Sequence, residues 1–481
     1  MNTFSAVVTT GIYCRPECSA RPKPGNVRPF ELAAAAEASG FRACLRCRPY
    51  RSPEPIEWAG PELVCRAVQM IVDGALDGAT EADLGARIGV SARHLRRLFA
   101  DHVGVTPDQL ARSRRAHFAR RLLDDTDLTV TDIAYASGFG SLRQLNRACH
   151  DVFRASPGAL RARRRRADRL VADGGLVLRL PFRGELDWDA MLAYAAGRAI
   201  PHVEHVADGM YRRTVVVDDE PGVLEIGPGG PDHLLLRAHL PYWDGLIHVV
   251  ERARRIFGLD APVDEAVRHL SGDPLLGPLV FRRPGLRVPG AWDPFEIGVR
   301  AIIGQQVSVA GATTVIGRLA ERLGRPVPGL QQFGLSQTFP SAKTVAAGDL
   351  SGIGLTGARA VAVQAFAAAV DSGSVRLDRS VSLDQLVASL TAVRGVGPWT
   401  AHYIALRIGE RDAFPGGDLG LRRSLARLVP GPGASLDELA TAWRPWRATA
   451  ALHLWFAESG TQAVSRKAST RRMTSALASS S

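Results

Sequence analysis

The chain has 481 residues, is 46% hydrophobic and 22% charged, and carries a formal net charge of +12. At about 100–200 residues per domain it should hold three or four domains, each able to bury its own core. No apolar run reaches the ~18–20 residues of a bilayer span and no secretory signal precedes the first cysteines. These features exclude a membrane partner and predict a cytoplasmic, nucleoid-associated protein whose excess cations meet a polyanion, with nucleic acid the first candidate.

In chain order, a small cysteine-bearing unit comes first. Cys14 and Cys18 form a C-x-x-x-C pair, and Cys44 and Cys47 a C-x-x-C pair. Two close pairs can bring four thiolates onto one tetrahedral ion, and one Zn²⁺ suits that donor set. Arg15, close to the first pair, would lower thiol pKa and attract phosphate. Cys65 and Cys149 lie apart in helical patterns and read as buried small side chains. Arg51 to Pro55 reads as a linker.

From Pro61 to about Arg166 the pattern is helical and arginine-rich. Glu81 to Gly89 reads as a helix and its turn, and Ser91 as the N-cap of a second helix running to His102. A second copy follows, with a helix over Thr129–Ser137, a turn at Gly138-Phe139-Gly140 and a helix over Ser141–Phe153. The pair predicts two helix-turn-helix units. The run Arg161–Arg166 is either a solvated face or a DNA-backbone contact. Residues Leu176–Pro289 hold β-rich stretches at 214–217, 223–226 and 234–236, which predict a small antiparallel sheet with helices. From Asp293 to about Glu458 the pattern is helical, and 459–481 is small, polar and frayed.

Within that last region, Val393 to Ala401 contains Gly395-Val396-Gly397 between two helices, a turn whose amides and following helix N-terminus favour an anion. Phe414 to Leu421 follows, containing Pro415-Gly416-Gly417-Asp418, and then Leu452 to Phe456. Together these segments resemble the helix-hairpin-helix DNA glycosylase superfamily, most closely its AlkA-type 3-methyladenine glycosylases, over about 176–456. The resemblance implies that Asp418 is the catalytic carboxylate. It implies that Trp399, Tyr403 and Trp455 form the base pocket, and that Gln306, Gly395, Gly397 and Thr400 meet DNA. It leaves room for a monovalent cation at the hairpin turn. Read on its own, Asp418 could be a helix cap, and Tyr403 and Trp455 could be core; Trp443 and Trp446 read as packing residues.

The chemistry fits the residues. An alkylated purine is already cationic and leaves readily, so the enzyme needs a carboxylate to stabilise the oxocarbenium-like sugar and aromatic faces to hold the flipped base. Trp399 stands where lyase-type relatives carry a lysine nucleophile, which implies a monofunctional enzyme. Lys343 is one of very few lysines that could substitute. Gln306 stands where the family often carries a leucine that fills the gap left by the flipped base.

The front resembles the amino-terminal domain of the Ada adaptive-response protein, and the helix-turn-helix pair an AraC/XylS-type regulator. This implies that Cys14 is a zinc-bound acceptor of methyl from DNA methylphosphotriesters, and that Thr10 and Arg21 contact DNA. Against that family's pattern the start before Thr9 is short, so the alternative is a zinc-containing regulator whose front domain is only structural. No Pro-Cys-His-Arg motif occurs, so the family's activity on O6-alkylguanine is not expected.

The expected fold class is multidomain and mostly α. It comprises a small zinc-bound α/β domain (1–52), two helix-turn-helix units (61–166), an α+β AlkA-type N-terminal subdomain (175–290) and an all-α helix-hairpin-helix glycosylase domain (291–458), with a disordered tail at 459–481. The expected function is an adaptive-response activator that is also a DNA repair enzyme. Double-stranded DNA, both alkylated sites and promoter, is the expected partner, RNA polymerase a second, and the protein a monomer.

Overall fold

A computed structural model describes residues 4–52, 61–171, 174–429 and 435–457. The expected tail, and Pro53 to Pro55 of the expected linker, lie outside the described residues. No helix among those described is long and apolar enough to cross a membrane.

The front unit is a four-stranded sheet ordered β3-β1-β2-β4, with β1 Phe4–Val7, β2 Ile12–Cys14, β3 Val27–Phe30 and β4 Arg42–Ala43. The short start still supplies β1, an inner strand that pairs antiparallel with β2 and sets Ser5 opposite Cys14. The cysteine therefore has a scaffold behind it. Helix α1, Ala33–Ala38, packs on this sheet through small alanines.

Helices α2 (Glu62–Val72), α3 (Glu81–Ile88) and α4 (Ala92–His102) form the first helix-turn-helix unit. Thr80 and Asp83 make a capping box at the start of α3, and Gly89 ends it at φ 82°, a left-handed conformation that costs glycine little. Helix α5, Pro107–Asp125, joins this unit to the second, α6 (Val130–Ala136) and α7 (Leu142–Phe153), which α8 (Pro157–Ala162) follows. The two glycine turns and both second helices stand where the spacing put them. Arg93 and Arg97 on α4, and Arg143 and Arg147 on α7, are exposed. The run at 161–166 is partly spent on internal contacts: Arg161 donates to the Leu128 carbonyl and Arg164 pairs with Asp127 at 2.8 Å.

The third region is a five-stranded antiparallel sheet, ordered β5-β9-β8-β7-β6, with β5 Leu176–Pro181, β6 Glu204–Ala207, β7 Met210–Val217, β8 Glu220–Gly230 and β9 His233–His239. Helix α9, Trp188–Ala196, crosses between β5 and β6. The rest is helical. Leu383–Thr391 and Pro398–Arg407 form a hairpin, Leu419–Leu428 follows, and a last helix covers 447–457. Trp443 and Trp446 are buried packing residues, as expected.

The regions are not independent beads. One apolar core runs from Phe4 and Tyr13 through Leu122 and Phe153 to Leu178 and Ile226. Helix α5 is its hub, and buries Ser113, His117, Arg120, Asp124 and Asp125 despite a strongly polar composition. Partners reach its histidine and carboxylates: His117 Nε2 lies 2.7 Å from Glu37, which also accepts from Tyr13 at 2.6 Å, and Tyr50 donates to Asp124 at 3.0 Å. Burial pushes the Tyr50 hydroxyl up to about 12. Arg51, expected at the start of a linker, instead closes a 3-10 turn and pairs with Asp125 at 3.0 Å. Its charge joins Arg179 at Asp125, so that buried carboxylate meets two cations.

Candidate functional site: a carboxylate between two indoles, and a four-cysteine centre

The hairpin turn requires glycine at one place above all. Gly395 has φ 86°, and a Cβ there would meet the Ala362 Cβ at 2.6 Å. Gly397 is the N-cap of the second hairpin helix and Pro398 its first residue, so the amides at this N-terminus open outward. Thr400 lies inside the turn: it is 2% exposed and its hydroxyl accepts from Gln305 at 2.8 Å. The Gln305 amide also donates to the Gly395 carbonyl at 3.0 Å. On the other side, Arg359 donates to the Ile302 carbonyl at 2.8 Å and the Gln305 carbonyl at 3.1 Å. This clamp pins the loop that presents Gln306, which is exposed and held at φ 61°. Only the doubled glutamine hinted at Gln305 in the sequence.

Asp418 caps the helix Leu419–Leu428, its Oδ1 accepting from the Leu421 amide at 3.0 Å. The cap reading is met, and the same carboxylate also accepts from two indoles: Oδ1 from Trp455 at 2.9 Å and Oδ2 from Trp399 at 3.1 Å. Three donors fix its plane, and the side chain remains half-exposed. Trp399 stacks on Tyr403 at 5.6 Å between centroids and 20° between planes, and Trp455 meets Tyr403 edge-on at 6.1 Å. The structure thus brings together the expected catalytic residue, Asp418, and the three aromatics expected around it, Trp399, Tyr403 and Trp455. Two residues not singled out extend this cluster. Arg407 donates to the Tyr403 hydroxyl at 2.9 Å and the Tyr194 hydroxyl at 3.2 Å. Arg407 follows Tyr403 by four residues and Trp399 by eight, a helical spacing readable in advance. Tyr194 comes from α9, far away in sequence, and nothing local marks it.

Near the start of the chain, the four sulfurs of Cys14, Cys18, Cys44 and Cys47 all lie within 4.8 Å of one another. The Arg15 amide points at the Cys47 sulfur at 3.4 Å. The hydrogen bond between Cys14 and Cys47 pulls the Cys47 thiol down and pushes the Cys14 thiol up, and burial pushes Cys14 the same way. Four sulfurs this close fit one Zn²⁺, which lets all of them ionise together. Cys14, Cys18 and Cys44 are buried, and Cys47 is the most open of the set. Thr10 and Arg21 are exposed on the same unit. The structure does not bring them near Asp418 through any contact among the described residues; the two sites are separate.

Three family models match in succession: the metal binding domain of Ada over residues 2–50, a helix-turn-helix domain over 84–163, and the AlkA N-terminal domain over 177–293. A probable bifunctional transcriptional activator/DNA repair enzyme AlkA of Mycobacterium tuberculosis is 40% identical over 456 residues, covering 94% of this chain and 92% of its own length. DNA-3-methyladenine glycosylase 2 of Escherichia coli is 34% identical over 280 residues, 56% of this chain and 94% of that protein. The solved 3-methyladenine DNA-glycosylase of Archaeoglobus fulgidus shares the fold, with a TM-score of 0.52 at 22% identity over 58% of this chain and 98% of that one. The chain belongs to the AlkA family of bifunctional transcriptional activator/DNA repair enzymes, with an Ada metal-binding domain and a helix-turn-helix domain ahead of a 3-methyladenine glycosylase domain.

Proposed function

We propose that this protein excises alkylated bases such as 3-methyladenine from double-stranded DNA by monofunctional hydrolysis, and that its front domain takes methyl from DNA methylphosphotriesters onto Cys14. The observation that carries the first activity is the Asp418 carboxylate held by two pocket indoles. Its fixed charge faces the sugar as positive charge develops there, and it orients the attacking water. Trp399, Tyr403 and Trp455 offer π faces to the cationic base. Gly395 and Gly397 present backbone to phosphate, Thr400 holds the turn through Gln305, and Gln306 fills the gap in the duplex. No amine stands at Trp399 to form a Schiff base, so the sugar is left uncut. The hairpin turn is also the place for a monovalent cation, held by backbone carbonyls.

For the second activity, Cys14, Cys18, Cys44 and Cys47 hold the Zn²⁺, which keeps a thiolate nucleophilic at neutral pH. Attack by the Cys14 sulfur on the phosphotriester methyl forms a thioether and leaves an ordinary phosphodiester. Thr10 and Arg21 place the phosphate. Methylation removes one negative charge beside DNA, so the two helix-turn-helix units bind promoter more tightly and recruit RNA polymerase, with the protein acting as a monomer. The domain division proposed is the one expected from the sequence, at 1–52, 61–166, 175–290 and 291–458.

The test of the glycosylase reading is incubation with a 3-methyladenine duplex, with chromatography of the released base and borohydride trapping in parallel. Released base, an uncut abasic strand and no trapped adduct are expected. A covalent adduct would place the chemistry on a lysine such as Lys343 and overturn the monofunctional reading.

A further inference from the structure

Arg407 is an unusual neighbour for a pocket that should welcome cations. It is 6% exposed and donates to four oxygens: the carbonyls of Pro289 at 2.6 Å and Gly290 at 3.0 Å, and the hydroxyls of Tyr403 and Tyr194. Its guanidinium carbon lies 5.8 Å from the Tyr403 ring centroid and 5.5 Å from that of Tyr194. Among the described residues no carboxylate pairs with it; the groups acting on it most are the two tyrosines and the like-charged Arg300. A buried cation without a counter-charge is costly, and one behind the pocket wall would repel a methylated purine cation.

The same geometry supplies the remedy. The Tyr403 hydroxyl accepts from Arg407 and is hydrogen-bonded to Tyr194, so its oxygen carries the bonds a phenolate needs. The charged and titratable groups acting on it are Arg407 on its own helix, Tyr194 on α9, Arg198 just beyond α9, and Arg300 on the helix Pro294–Ile303. Arg198 also lies 3.8 Å over the Tyr194 ring. Asp418 stands beyond Trp399 and Trp455. Burial pushes the Tyr403 hydroxyl up, but Arg407, Arg198 and the bond from Tyr194 outweigh it and bring it down to about 8.

We propose that Arg407 is a positioning residue that makes Tyr403 the charge-sensing wall of the pocket: the guanidinium holds the phenol ready to release its proton when a cationic base enters, so that preference for cationic over neutral bases depends on this pair. The O–H bond of Tyr403 breaks, the electron pair stays on the phenolate oxygen, the proton goes to solvent, and no other bond changes. The charge of the Arg407–Tyr403 pair falls from one positive to zero as the cation arrives. This inference rests on the pocket assignment made under Proposed function.

The test compares kcat/KM for a duplex holding 3-methyladenine, a fixed cation, with one holding ethenoadenine, a neutral base, from about pH 6.5 to about pH 9. The phenolate fraction of a group titrating near 8 rises about 30-fold over that range, so the cationic-to-neutral ratio should climb by up to roughly that factor. Tyr403→Phe keeps the ring and its stack, and its ratio should be flat with pH. Arg407→Lys should move the rise to higher pH. Ultraviolet difference titration gives a readout independent of activity: one tyrosine should ionise near pH 8 in the wild type and be missing in Tyr403→Phe. A flat wild-type ratio, or an equal rise in Tyr403→Phe, overturns the proposal. So does the absence of any tyrosine ionising below about pH 9. Failure to excise either base at any pH would instead sink the pocket assignment, and the absorbance titration would still decide whether the pair exists.

Discussion

Replacing Asp418 by asparagine separates charge from shape. Asparagine caps helices about as well as aspartate, and if its oxygen takes the Oδ1 place, the Leu421 amide and the Trp455 indole keep their acceptor. Its amide nitrogen then faces the Trp399 N–H, donor against donor, where the carboxylate accepted at 3.1 Å. Losing that one bond costs about 1–2 kcal/mol, and losing a negative charge at a helix N-terminus about 0.3–1 kcal/mol more. Folding stability should therefore fall by roughly 1–3 kcal/mol and the protein stay folded. Catalysis should suffer more. Removing a preorganised charge from a developing cation costs about 10²–10³-fold or more in rate, equivalent to roughly 3–4 kcal/mol of barrier. Single-turnover release of 3-methyladenine, read beside a DNA-binding titration and a denaturation curve, measures all three. Near wild-type release by the variant, with binding intact, would refute the role given to Asp418.

Zinc should bind one per chain, and Cys18→Ser should lower that stoichiometry and destabilise the front sheet, as metal analysis and thermal melting would show; full zinc retention would mean that Cys18 is not a ligand. Methylated protein should bind promoter DNA more tightly than unmethylated protein at fixed salt, with both forms weakening steeply as salt rises; equal affinities in a titration would remove the switch. His453 is 2% exposed, and burial, then Arg283, holds its imidazole down to about 4. Its folded pKa lies below the unfolded ~6.5, so its contribution is complete above about 6.5 and shrinks as pH falls toward 4, by at most about 3 kcal/mol. Denaturant titrations at about pH 7.5 and pH 4.5 should show that loss, and His453→Leu should abolish that part of the pH dependence.

Much of the site was legible in the chain because its residues are local in sequence. The two cysteine pairs, the glycine turns at Gly89 and Gly138, and Trp399, Tyr403 and Asp418 each sit in short segments whose spacing carries the geometry. What escaped depends on packing between distant segments. Helix α5 lies in the stretch read only as helical and arginine-rich, yet it is buried because Glu37, Arg48, Arg51 and Tyr50 of the front unit reach its charges, directly or through Asp168. Tyr194 meets Arg407 only because α9 of the sheet region lies against the hairpin helix, a contact no pattern in either segment announces. The burial of Cys14 against the openness of Cys47 likewise follows from strand pairing around β2 rather than from spacing.

The most direct measurement is one incubation of zinc-loaded protein with DNA carrying both 3-methyladenine and methylphosphotriesters, with free base counted by chromatography and protein-bound methyl located by mass spectrometry. Two alkylation repairs in one chain predict repeated release of free base and a single methyl confined to Cys14. Release should fall by about 10²–10³-fold or more in Asp418→Asn while the Cys14 methyl still forms. Methyl on Cys47, the most open ligand, would contradict the acceptor assignment. No released base, or near wild-type release by Asp418→Asn, would contradict the glycosylase assignment at the centre of the account.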